Sequence, residues 1–202
     1  MSDIDRQAAD AQAAFDMKSA AATMAAVVTA ITDDQLDAAT PCEGMPVHRL
    51  LAHVAMLTEA FREAATKESV GRSVSPDAVE PRLPADWRDL IPARLEALVS
   101  AWREPAAWAG DTEAGGVLLP APEMATVALD ELVIHAWDLA RATGQPYDPD
   151  NDDITRLADW LRATPEDGTP GLFGPVVPVP DTAPALDRLL GLTGRDPSWS
   201  RP

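Results

Sequence analysis

Residues 130–146 read Asp130-Glu-Leu-Val-Ile-His-Ala-Trp-Asp-Leu-Ala-Arg-Ala-Thr-Gly-Gln-Pro146 and combine a helical pattern with an acid, a histidine and a second acid. Gly144 follows the last apolar position, where a glycine in the left-handed conformation commonly ends a helix. Upstream, Pro122 and Glu123 suit a first helical turn, because proline is tolerated there and an acid complements the helix dipole. The pattern therefore predicts one long helix from about residue 122 to residue 143.

The polar residues of this helix share one face with small and apolar ones. Six residues recur at alternating steps of four and three, which places them along one stripe: Met124, Ala128, Glu131, His135, Asp138 and Ala142. Glu131 and His135, four residues apart, can both reach a single metal ion, as in helical metal sites. The same spacing also fits an ordinary core histidine that is hydrogen-bonded to Glu131.

Three more long helices are indicated outside this stretch, over about residues 3–30, 46–66 and 86–102, with Pro46 in the first turn of the second. Shorter helices are predicted over about residues 152–163 and 183–192. Residues 104–120 are predicted to form a loop, and residues 171–180 an extended segment, because prolines and glycines interrupt a helix there. We therefore expect an all-α fold, a four-helix bundle over residues 1–165 with a C-terminal extension, residues 166–202, packed on it as part of one domain.

A third candidate ligand lies on the second predicted helix. His53 shares a face with Leu50 and Leu57, so a bundle that packs this helix against the fourth could bring His53 opposite His135. Two imidazoles and one carboxylate would then hold a divalent ion with at least one open position. His48 is five residues from His53, a step that turns it to a different face, and we expect it at the surface.

Composition restricts the location and the partners of the protein. The formal net charge of −17 disfavours binding to nucleic acid or to anionic lipid. No apolar run is long enough for a membrane span, and the first residues are acidic rather than signal-like. The single cysteine, Cys42, excludes an internal disulfide framework, so a cytoplasmic protein is expected. Cys42 is interpreted as a structural thiol, with a nucleophilic role as the alternative. The sequence is compatible with a monomer or a homodimer.

Four stretches together resemble a known family: Thr40-Pro-Cys-Glu-Gly-Met-Pro-Val-His-Arg-Leu-Leu-Ala-His53, the segment from Asp130 to Gly144, Gly171-Leu-Phe-Gly-Pro-Val-Val-Pro-Val-Pro180, and Arg188-Leu-Leu-Gly-Leu-Thr-Gly-Arg-Asp-Pro197. They are similar to actinobacterial metal-binding proteins related to the N-terminal domain of mycothiol-dependent maleylpyruvate isomerase, within the DinB-like four-helix bundles. The resemblance implies a divalent ion, zinc or nickel, between helices.

By this resemblance, the ligands fall on His53 of Leu-Leu-Ala-His and on Glu131 and His135 of Glu-Leu-Val-Ile-His. Two features depart from the family pattern. Met45 stands where such proteins usually carry tryptophan, and a short extension replaces the separate C-terminal domain of the isomerase. The isomerase activity itself therefore does not follow from the resemblance.

The function that the resemblance implies is a metal-dependent transferase or isomerase that uses mycothiol as a small-molecule thiol and acts on an electrophilic substrate. The alternatives are a non-catalytic metal-binding or stress-related protein and a metal-dependent hydrolase. A metalloprotease is disfavoured, because the sequence has no His-Glu-x-x-His motif. Asp138 can close the ion's coordination, accept a hydrogen bond from a ligand or anchor the end of the helix, and the family block Trp137-Asp-Leu-Ala favours anchoring. Arg141 is expected to pair with surface acids.

Overall fold

The computed structural model describes residues 14–74, 82–169 and 172–201. Its helices are α1 (Lys18–Ala30), α2 (Val47–Thr66), α3 (Trp87–Trp102), α4 (Ala121–Thr143), α5 (Asn151–Trp160) and α6 (Ala185–Leu192). Single 3-10 turns occupy Asp33–Gln35, Pro105–Trp108 and Leu161–Ala163. Two short antiparallel strands, β1 (Asp111–Ala114) and β2 (Val117–Pro120), complete these elements.

Helices α1 to α4 form the predicted four-helix bundle, in which α2 and α1 each pack against both α3 and α4. The helix α4 is the most enclosed, because α1, α2, α5 and the hairpin all contact it. Residues on its different faces, such as Ala125, Ile134 and Ala142, are buried. Polar side chains on this helix therefore lie in low-dielectric surroundings, where they require partners. The mostly helical fold class is confirmed.

The helix boundaries follow local rules. Val47 begins α2 directly after Pro46, and α4 ends at Gly144, which has a φ of 72° and donates its N–H to the carbonyl oxygen of Ala140. These boundaries agree with the predictions. The first helix was predicted too long, because α1 begins only at Lys18, whose N–H the side chain of Asp16 accepts at 3.0 Å. The part of that prediction before residue 14 lies outside the described residues.

The prediction of a loop over residues 104–120 was wrong, because this segment contains the β1–β2 hairpin. Gly115 and Gly116 connect the strands with positive φ angles of 59° and 78°, as tight hairpin turns require. The hydroxyl of Thr112 donates to the carbonyl oxygen of Ala64 at 2.5 Å and ties the hairpin to the end of α2. Strands of four residues with acids and a proline lack the alternating pattern by which strands are recognised in a sequence.

The C-terminal extension packs on α5 through α6. An extended segment crosses α6 at Gly191, where the N–H of Val177 donates to the Gly191 carbonyl oxygen at 2.9 Å. A Cβ atom at Gly191 would lie only 2.6 Å from the carbonyl oxygen of Val177, so the close approach requires glycine. Among the described helices, none is both long and apolar enough to cross a bilayer.

Candidate metal centre

Packing of α2 against α4 brings together the three side chains predicted as metal ligands, His53, Glu131 and His135. One donor atom from each lies within 4.8 Å of the other two. Glu131 Oε2 is 2.9 Å from His135 Nε2 and 3.7 Å from His53 Nε2, and the two imidazole rings are nearly perpendicular with centroids 5.2 Å apart. His135 is buried, whereas His53 and Glu131 keep about a fifth of their side-chain surface exposed. The cluster thus lies at the edge of the core and not inside it.

Asp138 fixes the orientation of the His135 ring. Its Oδ2 atom accepts a hydrogen bond from His135 Nδ1 at 3.0 Å and a second from Arg195 Nη2 at 3.2 Å. The Asp138 side chain has no exposed surface, and Arg195 reaches it from the C-terminal extension. With Nδ1 engaged in this way, Nε2 of His135 faces Glu131 and His53. Asp138 therefore combines two of its three predicted roles, since it supports a ligand candidate and anchors a neighbouring segment.

The carboxylates and imidazoles of the cluster shift one another's protonation. Burial alone would lower the pKa of His135, but its hydrogen bonds to Asp138 and Glu131 outweigh burial and raise the pKa to about 10. Burial would raise the pKa of Glu131, but the close contact with His135 and the nearby imidazole of His53 instead hold it well below its usual range. Burial, reinforced by the charge of Glu131, raises the pKa of the adjacent Asp130 to about 8. When a metal binds to imidazoles and carboxylates, these groups release their protons, so metal affinity depends on pH.

Cys42 lies next to His135, which sequence reasoning did not anticipate. Its Sγ atom and donor atoms of His135 and Asp138 lie within 4.8 Å of one another. The loop that carries it is held by Thr40, whose hydroxyl donates to the carbonyl oxygen of Met45 at 2.7 Å and accepts the N–H of Cys42 at 3.1 Å. Burial raises the pKa of the thiol. Cys42 is thus a neutral, half-buried group beside the cluster.

A cavity of about 1020 Å³ opens in front of the three side chains. Its polar lining includes His53, Glu131 and His135 together with Asp130 and Arg195. Much of the remaining wall consists of apolar side chains from α2, α4, the hairpin and the extension: Met56, Leu57, Leu119, Met124, Val127, Ile134 and Phe173. The cavity is large enough for a small organic ligand, since typical ligand sites measure about 300–1,000 Å³.

Two other residues singled out in the sequence lie away from the cluster. His48 is exposed, as predicted, and its Nδ1 atom lies 3.0 Å from the carbonyl oxygen of Leu36. Arg141 forms no ion pair with an acid among the described residues, contrary to the prediction. Its guanidinium donates instead to the carbonyl oxygens of Pro197 at 3.4 Å and Trp199 at 2.7 Å, because the extension passes beside the end of α4.

Comparison with known proteins identifies the family to which this helical bundle belongs. The family model of the mycothiol maleylpyruvate isomerase N-terminal domain matches residues 17–140, which include all three ligand candidates. This chain belongs to that family. The relation suggested by the sequence motifs is thereby confirmed. Relatives in Mycobacterium tuberculosis include the uncharacterized proteins Rv0738 and MT0763, each 32% identical over 186 residues, with 85% of this chain and 91% of the relative covered.

Two solved structures have a similar fold. The crystal structure of the mycothiol-dependent maleylpyruvate isomerase is 21% identical with a TM-score of 0.56, and that of a histidine-to-alanine variant is 20% identical with a TM-score of 0.57. Each match covers 72% of this chain and 66% of the solved chain. This chain therefore spans just under two thirds of the isomerase. At this level of identity the likeness concerns the fold, and the activity has to be argued from the site.

Proposed function

We propose that this protein binds a divalent ion, zinc or nickel, through His53, Glu131 and His135, and that it is a mycothiol-dependent transferase or isomerase. The observation that supports this proposal most strongly is the convergence of two imidazoles and one carboxylate at the wall of a cavity of about 1020 Å³. Family membership names mycothiol as the thiol to test first.

The donor set fits such an ion. Two histidine nitrogens and one carboxylate oxygen are the ligands of many catalytic zinc sites, which leave a further position open. The hydrogen bond from His135 Nδ1 to Asp138 is the carboxylate–histidine arrangement that typically fixes the tautomer of a metal ligand. It directs Nε2 of His135 toward Glu131 and His53, where the three donor atoms share one side of the cavity. A small movement of these side chains around one ion would replace their mutual contacts by metal bonds.

In the proposed site, the ion and the protein have different roles. A bound zinc or nickel ion supplies the Lewis acidity that lowers the pKa of a coordinated thiol. The protein orients the ligands through Asp138 and supplies the apolar walls formed by residues such as Met56, Val127 and Phe173. These walls would accommodate an electrophilic substrate beside the thiol. A reaction of this kind suits the reducing cytoplasm, where we place the protein.

The position of Asp138 supports catalysis over a purely structural role, because an ion held by His53, Glu131 and His135 would keep a coordination position open. Asp138, the expected fourth ligand of a closed site, points its Oδ2 atom to the opposite nitrogen of His135 and to Arg195. Cys42 clusters with His135 and Asp138 and not with His53. We further propose that residues 166–202 form an extension of the bundle domain, which contributes Phe173 and Arg195 to the cavity.

Metal analysis of the purified, tag-free protein tests the first half of the proposal. We expect about one zinc or nickel ion per chain in the wild type, loss of that ion in His53→Ala, and retention in the control His48→Ala, because only His53 lies in the cluster. Equal metal content in wild type and His53→Ala would contradict the ligand assignment.

Titration with mycothiol tests the second half. The cobalt(II)-substituted protein is expected to develop a sulfur-to-cobalt charge-transfer band as mycothiol is added, and His53→Ala is expected to show none. Metal binding without any response to mycothiol would favour the non-catalytic, metal-binding alternative. Turnover of electrophilic substrates by the zinc-loaded and nickel-loaded wild type then distinguishes a transferase from an isomerase.

A further inference from the structure

Apolar side chains extend from the ligand cluster along both helices that carry it. Residues one and two turns from the ligands line the cavity: Met56 and Ala60 after His53 on α2, and Val127 and Met124 before Glu131 on α4. Residues three, four and seven positions apart share one face of a helix, so each ligand and its apolar neighbours belong to the same face. The accessible wall of the cavity is mostly apolar, and its methionines can adapt to ligands of different shape.

The hairpin contributes a second apolar wall through alternate residues of β2. Val117 and Leu119 line the cavity, whereas Leu118 between them does not. Successive side chains of a strand point to opposite faces, which explains this alternation. One face of β2 therefore belongs to the cavity, and the other face offers a matched control position.

The mouth of the cavity is bordered by exposed apolar side chains. In the described ranges, five large apolar residues are exposed: Val70, Val74, Val117, Leu118 and Leu172. Three of them line the cavity, namely Val74 at 67% exposure, Val117 at 53% and Leu172 at 54%. On a chain with a net charge of −17, apolar groups gathered at one opening indicate a surface that a ligand covers.

The charged groups of the cavity have partners within the protein. Arg94 Nη1 donates to the carbonyl oxygen of Ala55 at 2.6 Å, and its Nε lies 3.7 Å from Glu59 Oε2. Arg72 Nε donates to the carbonyl oxygen of Glu68 at 3.0 Å. Glu59 itself lines the cavity, and the whole chain is strongly acidic, so the charges disfavour a substrate with several carboxylates. The apolar wall remains as the main binding surface.

We propose that the electrophilic substrate carries an apolar hydrocarbon chain of medium length, such as an octyl chain, which lies along this wall between the ligand cluster and the rim formed by Val74, Val117 and Leu172. This inference deepens the proposed function and rests on it, because the reacting end of the substrate would lie beside the thiol at the cluster. The cavity volume of about 1020 Å³ is at the upper end of typical ligand sites and leaves room for the thiol and the chain together. Burial of the chain then provides most of the affinity for the substrate.

Binding of the chain is tested on the full-length protein as purified, by isothermal titration calorimetry with n-hexanol, n-heptanol and n-octanol. These alcohols are unreactive and share one hydroxyl group, so only the length of the hydrocarbon changes. We expect the dissociation constant to fall about threefold for each added methylene group, as burial of that group provides. Equal dissociation constants across the series would overturn the inference.

Two neighbouring substitutions on β2 test where the chain binds. Val117→Asp should weaken binding of n-octanol at least about fivefold, because a carboxylate is unfavourable beside a buried hydrocarbon. The control Leu118→Asp introduces the same charge on the opposite face and should bind n-octanol within about twofold of the wild type. Both positions are exposed, so both variants should fold. Equal weakening by the two substitutions would place the chain outside the cavity and overturn the inference. A wild-type dimer that Val117→Asp converts to a monomer, together with no binding of n-octanol, would also overturn it and assign the rim to contact between copies of this chain.

A last titration separates a chain on the substrate from a chain that occupies the place of the thiol. In the cobalt(II)-loaded protein saturated with n-octanol, the charge-transfer band should still develop with mycothiol, with a dissociation constant within about threefold of that without n-octanol. Loss of the band on addition of n-octanol would overturn the assignment of the chain to the substrate. Failure of the proposed function is distinct, because mycothiol would then produce no band even without n-octanol, while the dependence on chain length would persist.

Discussion

Replacing Asp138 by asparagine should weaken metal binding although Asp138 is not a ligand in the proposed site. The substitution keeps the size of the side chain and removes the charge that both His135 Nδ1, at 3.0 Å, and Arg195 Nη2, at 3.2 Å, contact. Removing the carboxylate behind a metal-bound histidine typically lowers metal affinity by about 10- to 100-fold. This corresponds to about 1.4–2.7 kcal/mol of binding free energy.

The stability of the fold should fall as well. The guanidinium of Arg195 has only 11% of its side-chain surface exposed and would lose its carboxylate partner. Breaking a buried ion pair by removing one member typically costs about 3–5 kcal/mol, and asparagine recovers part of this by accepting one hydrogen bond. We therefore expect a lower melting temperature for Asp138→Asn in both the metal-free and the metal-loaded form.

The assay is a zinc competition titration against a chromophoric chelator at constant pH, with circular dichroism to confirm that each variant is folded. Arg141→Ala is the matched control, because Arg141 also fastens the extension to α4 but contacts the carbonyl oxygens of Pro197 and Trp199 and not the cluster. It should bind zinc like the wild type. A dissociation constant for folded Asp138→Asn within twofold of the wild-type value would refute the proposed support of His135 by Asp138.

Three further predictions concern stability and reactivity. Burial raises the pKa of Asp153 to about 6 from its ordinary 3.8, so the folded protein binds this proton more tightly and its stability falls as pH rises from about 4 to 6. Asp153→Asn should therefore raise the free energy of unfolding at pH 7.5 by about 1–2 kcal/mol and have little effect at pH 4. A melting temperature whose pH profile is the same in the variant and the wild type would contradict this. Gly191→Ala should lower the free energy of unfolding by about 1–3 kcal/mol in chemical denaturation, because its Cβ would lie 2.6 Å from the Val177 carbonyl oxygen. The control Gly174→Ala has open space at its Cβ position and should be tolerated. Equal losses of stability in the two variants would count against the close packing at Gly191. Cys42 should react with a disulfide reagent at pH 7.5 at least about tenfold more slowly in the folded protein than in the urea-unfolded protein, because burial raises the pKa of its thiol. Equal reaction rates would contradict this prediction.

The sequence predicted the bundle and the ligand candidates for the same reason. A helix repeats every 3.6 residues, so residues three and four apart share a face whatever the rest of the chain does. This periodicity placed Glu131 and His135 one above the other on α4 and placed His53 on the core-facing side of α2. Gly144 at the end of α4 also obeyed a local rule, the preference of a left-handed position for glycine.

The features missed or misjudged depend on contacts between distant parts of the chain. The hairpin over residues 111–120 has weak strand patterning, and packing against α2 and α4 stabilises it. Likewise, Arg141 was expected to pair with surface acids, but its guanidinium donates to carbonyl oxygens of the C-terminal extension. Local patterns contain no information about which distant segment arrives at a given surface.

The residues around His135 show most clearly what the sequence determined and what the tertiary structure decided. Sequence periodicity alone determined the stripe of Glu131, His135 and Asp138, because it is a property of one helix. Only the tertiary structure brought Arg195, 57 residues further along the chain, to Asp138 and into the wall of the cavity. The physical reason is that helical periodicity specifies directions around one axis, whereas the meeting of two remote segments depends on how the whole core packs.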